Sequence, residues 1–302
     1  MLKVFEKDGK FGFEDDGKEV VPAKYDRCEE FKNGYACIKI DGKWGVIDET
    51  GKEVVPFAYD SIDFIYGVRH GFIVAGNGDK KGLVDIATGK EVIPCEYEEV
   101  WTMDNGTARV AKKMGTKIDF EVSASFTSIS KENIQYGIVK IETGEEVVPC
   151  KYDQIDTTFK NGFAVVENDG KQGVINSEFK EIVPCEYEQI CDLKNGFFRA
   201  KQKDLWNFLD KDGNQATFQG FDYLEDCQNG YALAKKYRTD LMDGRSKTEW
   251  IIIKDNGATT RGYWQGEGWK EFEVMEILKD LRSVWNDEQE RLKNEDGNIK
   301  TI

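Results

Sequence analysis

Residues 42–60 read Gly42-Lys43-Trp44-Gly45-Val46-Ile47-Asp48-Glu49-Thr50-Gly51-Lys52-Glu53-Val54-Val55-Pro56-Phe57-Ala58-Tyr59-Asp60, and this stretch decides the fold. Asp41-Gly42-Lys43 is a turn, because Asp-Gly supplies the positive φ that a tight hairpin needs. Trp44 to Asp48 reads as a strand, Glu49 to Lys52 as a second turn, and Glu53-Val54-Val55 as another strand. Pro56 is expected to close that strand, since proline cannot donate to a sheet ladder. Upstream, Tyr35-Ala36-Cys37-Ile38-Lys39-Ile40 alternates and is rich in β-formers. Downstream, Asp60 to Phe64 is expected to be a fourth, outer strand of the same unit. Strands this short, at this spacing and with turns between them, mean an all-β fold.

The stretch recurs. All five prolines stand in Pro-x-x-Tyr, at Pro22, Pro56, Pro94, Pro149 and Pro184, at intervals of 34, 38, 55 and 35 residues. An aromatic follows Asn-Gly or His-Gly at Tyr35, Phe72, Phe163, Phe197 and Tyr231, with a weaker copy at Asn105-Gly106-Thr107. The Trp44-Gly45-Val46-Ile47-Asp48 element returns as Lys81-Gly82-Leu83-Val84-Asp85 and Gln172-Gly173-Val174-Ile175-Asn176. Degenerate copies begin at Phe11-Gly12, Tyr136-Gly137, Trp206-Asn207 and Trp250-Ile251, which makes seven units.

The unit from Gly42 to Pro56, followed by Tyr59-Asp60, resembles the WG (KWG) repeat of bacterial proteins, and the likeness covers about residues 1–255. The naming tryptophan survives only at Trp44, Trp206 and Trp250, and Asn207 and Ile251 replace the glycine in the last two units. The resemblance implies a β-rich repeat protein and says little about activity.

A unit of three or four short strands cannot bury both of its faces alone, so it must stack on its neighbours. The expected fold is therefore an all-β repeat protein, a seven-unit β-propeller-like ring, with an open β-hairpin solenoid as the alternative. Met1 to Glu6 resembles the strand after each Asn-Gly turn, and would supply the edge that closes the ring. Residues 1–270 form the repeat domain in this reading, and 112–135 are an insertion in the fourth unit, expected as a long hairpin or projecting loop. A smaller insertion, Tyr237 to Lys247, takes the matching place in the sixth. Residues 271–302 are a C-terminal amphipathic helix and tail, with apolar residues at helical spacing. Val274, Ile277, Leu278, Leu281 and Trp285 are the candidate partner-binding residues, and docking of that stripe on the β body is the competing use.

Charge narrows the function. Lys and Arg total 42 and Asp and Glu 57, for a net charge of −15, and the mean hydropathy is −0.59. Phosphate-directed nucleic-acid binding and docking on anionic membrane both need positive surface. Neither is expected. Seven cysteines without a C-x-x-C pair argue against a zinc site of that type, and free thiols with a charged N-terminus point to the cytoplasm. Cys95, Cys150 and Cys185 occupy one repeat position, which elsewhere holds Ala23 and Phe57, so they read as packing residues. His70 stands where other units have the Asn of Asn-Gly and reads as a turn residue. Asp210-Lys211-Asp212-Gly213-Asn214 lacks the ligands of a calcium loop and aligns with the Asp48 turn.

No nucleophile elbow, P-loop or H-E-x-x-H is present. Asp26, Asp60, Glu98, Asp153 and Glu188 each follow the motif tyrosine, and an acid needed five times reads as structural. The expected function is a non-catalytic scaffold for protein–protein interaction, without cofactor or metal, whose acidic surface favours a basic protein partner. Two alternatives stay open: a carbohydrate-binding module using the repeat aromatics, and a carboxylate-dependent hydrolase.

Overall fold

The computed structural model describes residues 2–64, 70–121, 127–191, 197–216, 220–224, 231–239, 246–254, 259–265 and 268–269. Among these the chain is all β, in seven small antiparallel sheets. It divides into two compact units, residues 1–158 and 159–302.

In the first unit, β1 (Lys3–Lys7), β2 (Lys10–Asp15) and β3 (Lys18–Tyr25) form a three-stranded sheet. The second sheet holds β4 (Arg27–Cys28), β5 (Tyr35–Ile40), β6 (Lys43–Asp48) and β7 (Glu53–Tyr59) in that order. The third repeats it with β8 (Ser61–Asp63), β9 (Phe72–Asn77), β10 (Lys80–Asp85) and β11 (Lys90–Tyr97). The fourth does so with β12 (Glu99–Thr102), β13 (Thr107–Glu121), β14 (Thr127–Lys140) and β15 (Glu146–Tyr152). The short strand β16 (Gln154–Ile155) follows. In the second unit, β17 (Phe163–Asn168), β18 (Lys171–Asn176) and β19 (Glu181–Tyr187) are one group of paired strands, and β20 (Gln189–Cys191), β21 (Phe198–Gln202) and β22 (Leu205–Leu209) the next. The last sheet is β23 (Tyr223–Leu224), β24 (Tyr231–Thr239), β25 (Ser246–Lys254), β26 (Thr259–Gln265) and β27 (Gly268–Trp269).

Two strand expectations are corrected. The segment after each motif tyrosine does not finish its own sheet: β8 pairs with β9 and so opens the following one. Nor do the prolines close strands, since β7 runs through Pro56 to Tyr59. The reason is a bulge. Trp44 pairs with Tyr59 but Val46 with Val55, so β7 spans four residues where β6 spans two. The same offset recurs between Phe11/Tyr25 and Phe13/Val21, and between Lys81/Tyr97 and Leu83/Ile93. Tyr136/Tyr152 with Ile138/Val148, and Gln172/Tyr187 with Val174/Val183, complete the set. A bulged residue needs no ladder hydrogen bond, so proline fits there.

The bulge also explains the motif glycine. A Cβ built on Gly12, Gly45, Gly137 or Gly173 would stand 2.5, 2.8, 2.5 and 2.6 Å from the carbonyl oxygen of Val21, Val55, Val148 and Val183. On Gly82 it would come closer still to Ile93 O. In each case that oxygen belongs to the residue before the proline. Glycine and proline are therefore two halves of one device, and the chain loses them together. At Asn207 the partner strand is reduced to isolated bridges, Trp206 with Phe221 and Leu209 with Gln215.

The second, third and sixth sheets bury both faces. Ala36, Ile38 and Ile47 pack with Phe13, Val21 and Tyr25 of the first sheet. The alternate residues Cys37, Val46, Val55 and Tyr59 pack with Ile73, Ala75 and Val84 of the third. Leu83, Ile93 and Tyr97 join Ala108, Val110 and Val139 of the fourth. In the second unit Val174 and Val183 pack with Phe198, Ala200 and Leu209, and Phe208 packs with Ala232, Ala234, Ile251 and Ile253. The core thus lies between sheets, which is why one repeat cannot fold alone. Turns do what their residues require: Asn33-Gly34 and His70-Gly71 hold φ of 53°/83° and 50°/84°.

Candidate functional site

The residues proposed from sequence as partner-binding, Val274, Ile277, Leu278, Leu281 and Trp285, lie outside the described residues, as does the whole C-terminal helix expectation. The repeated polar residues lie inside them and have folding roles. Lys10 pairs with Asp26 at 2.5 Å, Lys43 with Asp60 at 2.6 Å and Lys80 with Glu98 at 2.6 Å. Asp26 also accepts from the Asp41 amide and Asp60 from the Gly78 amide. The ammonium bonded to each aspartate holds its carboxyl below the usual range. Asp48, Asn176 and Asp210 each accept amide hydrogens from two and four residues onward, so the Asp210 segment is the same hairpin turn as the other two. Tyr25, Tyr59, Tyr97 and Tyr152 are buried.

The cysteines are also built in. Cys95, Cys150 and Cys185 each direct the thiol at a carbonyl at one repeat position, Ala75 at 3.4 Å, Val110 at 4.0 Å and Val166 at 3.9 Å. Burial pushes the Cys28, Cys37 and Cys95 thiols up to about 12 and the Cys150 thiol to about 11, the opposite of an activated nucleophile.

One cross-strand row varies between repeats. In the second sheet it reads Arg27, Lys39, Trp44, Tyr59, and both cations lie over the indole with centroid distances of 5.7 Å. In the fourth it reads Glu99, Ala111, Tyr136, Tyr152, with Arg109 4.9 Å over the Tyr136 ring. In the sixth it reads Gln189, Lys201, Trp206, Phe221, with Arg199 5.4 Å over Trp206. In the third it is Ser61, Gly76, Lys81, Tyr97: a small residue, no side chain, and an ammonium where the second, fourth and sixth sheets have a ring. A cavity of about 490 Å³ opens at this row, between β8–β10 and the Glu29–Lys32 loop. Ile62, Phe64 and Val74 give it an apolar wall, and Lys32 crosses it to donate to Phe64 O at 3.1 Å. In the sequence Lys81 is one more substitution of the tryptophan, and Gly76 belongs to none of the repeated motifs. The signal was their departure from the repeat at adjacent positions.

A second departure is the ribbon that β13 and β14 make through residues 112–135. Edge strands cover β13 as far as Ala111 and β14 as far as Tyr136. The pairing of β13 with β14 continues past both, to Glu121 and Thr127, with an irregularity between Lys113 and Thr116.

Five consecutive stretches, residues 14–44, 44–80, 82–113, 136–171 and 173–206, match the family described as WG containing repeat, and together they span more than half of the chain. The chain belongs to the WG-repeat family. Asn207 and Ile251, which replace the glycine in the last two units, and the whole of the seventh sheet lie beyond the last matched stretch. No curated protein matches this WG-repeat chain. Among solved structures it is similar to KlHsv2 with loop 6CD replaced by a Gly-Ser linker, at 9% identity over 87% of this chain and 88% of that one, with a TM-score of 0.29. It is similar also to apo AztD from Citrobacter koseri, at 10% identity over 86% and 81%, with a TM-score of 0.27. At such scores neither likeness bears on function.

Proposed function

We propose that this WG-repeat chain is a non-catalytic scaffold for protein–protein interaction, its seven sheets set as the blades of a β-propeller. The observation that carries the reading is the β13–β14 ribbon, which leaves the fourth sheet and continues with no third strand paired to either edge among the described residues. Open strand edges are templates for pairing with another chain. The burial of both faces of successive sheets supports the blade arrangement. The repeated acids and tyrosines are accounted for by ion pairs, turns and core packing, which supports a scaffold over a hydrolase or a glycan platform built on those positions. The net charge of −15 favours a basic protein over nucleic acid or membrane. The same reading places the chain in the cytoplasm, assigns it no cofactor, and gives Val274, Ile277, Leu278, Leu281 and Trp285 a second partner contact.

The test replaces residues 114–133 by Asn-Gly, which closes the hairpin at the Lys113–Ile134 pair. Wild type and trimmed protein are cross-linked in the native cell and the recovered proteins compared. The reading expects a defined partner set, lost on trimming while circular dichroism and melting stay at wild-type values. Identical recovery by the two proteins contradicts it.

A further inference from the structure

We propose that the cavity of the third sheet binds a small zwitterion with an aromatic side chain, chemically a free aromatic amino acid. This inference is independent of the scaffold reading. The space exists because the repeat omits its own ring there: Trp44 and its two cations fill the equivalent row of the second sheet, whereas Ser61, Gly76 and Lys81 leave theirs open. At about 490 Å³ the cavity is of ordinary small-ligand size. Ile62 and Val74, both half-buried, offer the ligand ring an apolar wall in place of the missing packing.

Four charged residues line the cavity; Lys32 and Asp63 already have partners of their own, which leaves Lys81 and Glu29 to select the rest of the ligand. The Lys81 ammonium makes no hydrogen bond or ion pair among the described residues, so it is available for a carboxylate. Glu29, on the same cavity, carries no hydrogen bond on its carboxylate among the described residues and can accept from an ammonium. An anion alone would leave Glu29 repelling it, and a cation alone would meet Lys81. A ligand bearing both charges beside a ring satisfies the two groups and the wall together.

Isothermal titration and amide chemical-shift mapping with L-tryptophan, L-phenylalanine, indole and N-acetyl-tryptophanamide test this. The expected result is saturable binding of the free amino acids, with shifts at Ser61, Gly76 and Lys81, and binding of the uncharged analogues weaker by about tenfold or more. Lys81→Trp restores the ring of the repeat and is expected to abolish binding. Glu29→Gln is expected to weaken it by about tenfold. Gln172→Trp, the same change in the fifth repeat, controls for folding and is expected to bind as wild type does. No binding by wild type at about 10 mM, a concentration above the weakest Kd of interest, overturns the proposal. So does undiminished binding by Lys81→Trp, or equal binding of indole and tryptophan.

Discussion

Replacing Gly82 by alanine separates a structural glycine from an incidental one, because the two cases differ in sign. Gly82 is not among the glycines with positive φ, so alanine meets no backbone penalty there. If its surroundings were open, the smaller entropy of the unfolded alanine chain would stabilise the protein by about 0.4–1 kcal/mol. The surroundings are closed. The new Cβ would stand 2.8 Å from the Pro94 carbonyl carbon and 2.8 Å from the Cys95 nitrogen, closer still to Ile93 O, and all three are backbone atoms that cannot rotate away. The bulge must shift, and overpacking of this kind costs about 3 kcal/mol at the upper end of its usual range. With a urea m-value of about 3 kcal/mol/M, the midpoint should fall by about 1 M. Tryptophan fluorescence and far-ultraviolet circular dichroism would follow the transition. Gly17→Ala is the comparison: φ is +79° and nothing lies within 4 Å, so only a conformational cost of about 1 kcal/mol is expected. A midpoint for Gly82→Ala at or above wild type, or equal to that of Gly17→Ala, would refute the reasoning.

Other consequences are also measurable. Cys37, Cys95 and Cys150 should react with a disulfide reagent at pH 8 orders of magnitude more slowly in the native protein than in urea, because burial raises their pKa; comparable rates would contradict the packing. Stability should hold through neutral pH and fall as pH rises from about 9 toward 12. Over that window the unfolded thiols and phenols lose protons that Cys28, Cys37, Cys95, Tyr59 and Tyr97 retain in the fold, with pKa near 12. It should fall again in acid, because Asp26, Asp48 and Asp60 titrate below the ordinary aspartate value when folded, so protonation favours the unfolded chain. A denaturation series across pH would show both limbs, and a flat profile would count against them. Arg109→Met removes a guanidinium that donates to Ile155 O at 3.2 Å and covers Tyr136, and should cost about 1–2 kcal/mol by urea denaturation; no change would show the contact to be idle.

Much of the fold was legible because the repeat announces itself. Tyr35–Ile40 was read from its alternation and is β5. The Asp-Gly and Asn-Gly turns were legible because few other residue pairs hold positive φ cheaply. What the sequence hid was tertiary. Arg27–Cys28 is two residues long, too short for any periodicity to show that it opens a sheet rather than ending one. Pro56 was read as a stop because the ladder argument is local, while the bulge that accommodates it exists only once β7 lies against Gly45. The cavity was illegible for a related reason. Gly76 and Lys81 are unremarkable alone, and their meaning comes from standing side by side across two strands where Lys39 and Trp44 stand in the preceding sheet. The apolar stripe from Val274 to Trp285 lies outside the described residues, so the structure leaves that reading where the sequence put it.

Nuclear Overhauser contacts across the five bulges test most directly whether glycine and proline form one repeated device. Strong cross-peaks are predicted from the α-protons of Gly12, Gly82, Gly137 and Gly173 to the amide protons of Ala23, Cys95, Cys150 and Cys185, and from Gly45 to the ring protons of Phe57, one for each repeat. Contacts missing from two or more repeats, or directed to different partners in different repeats, would contradict the account.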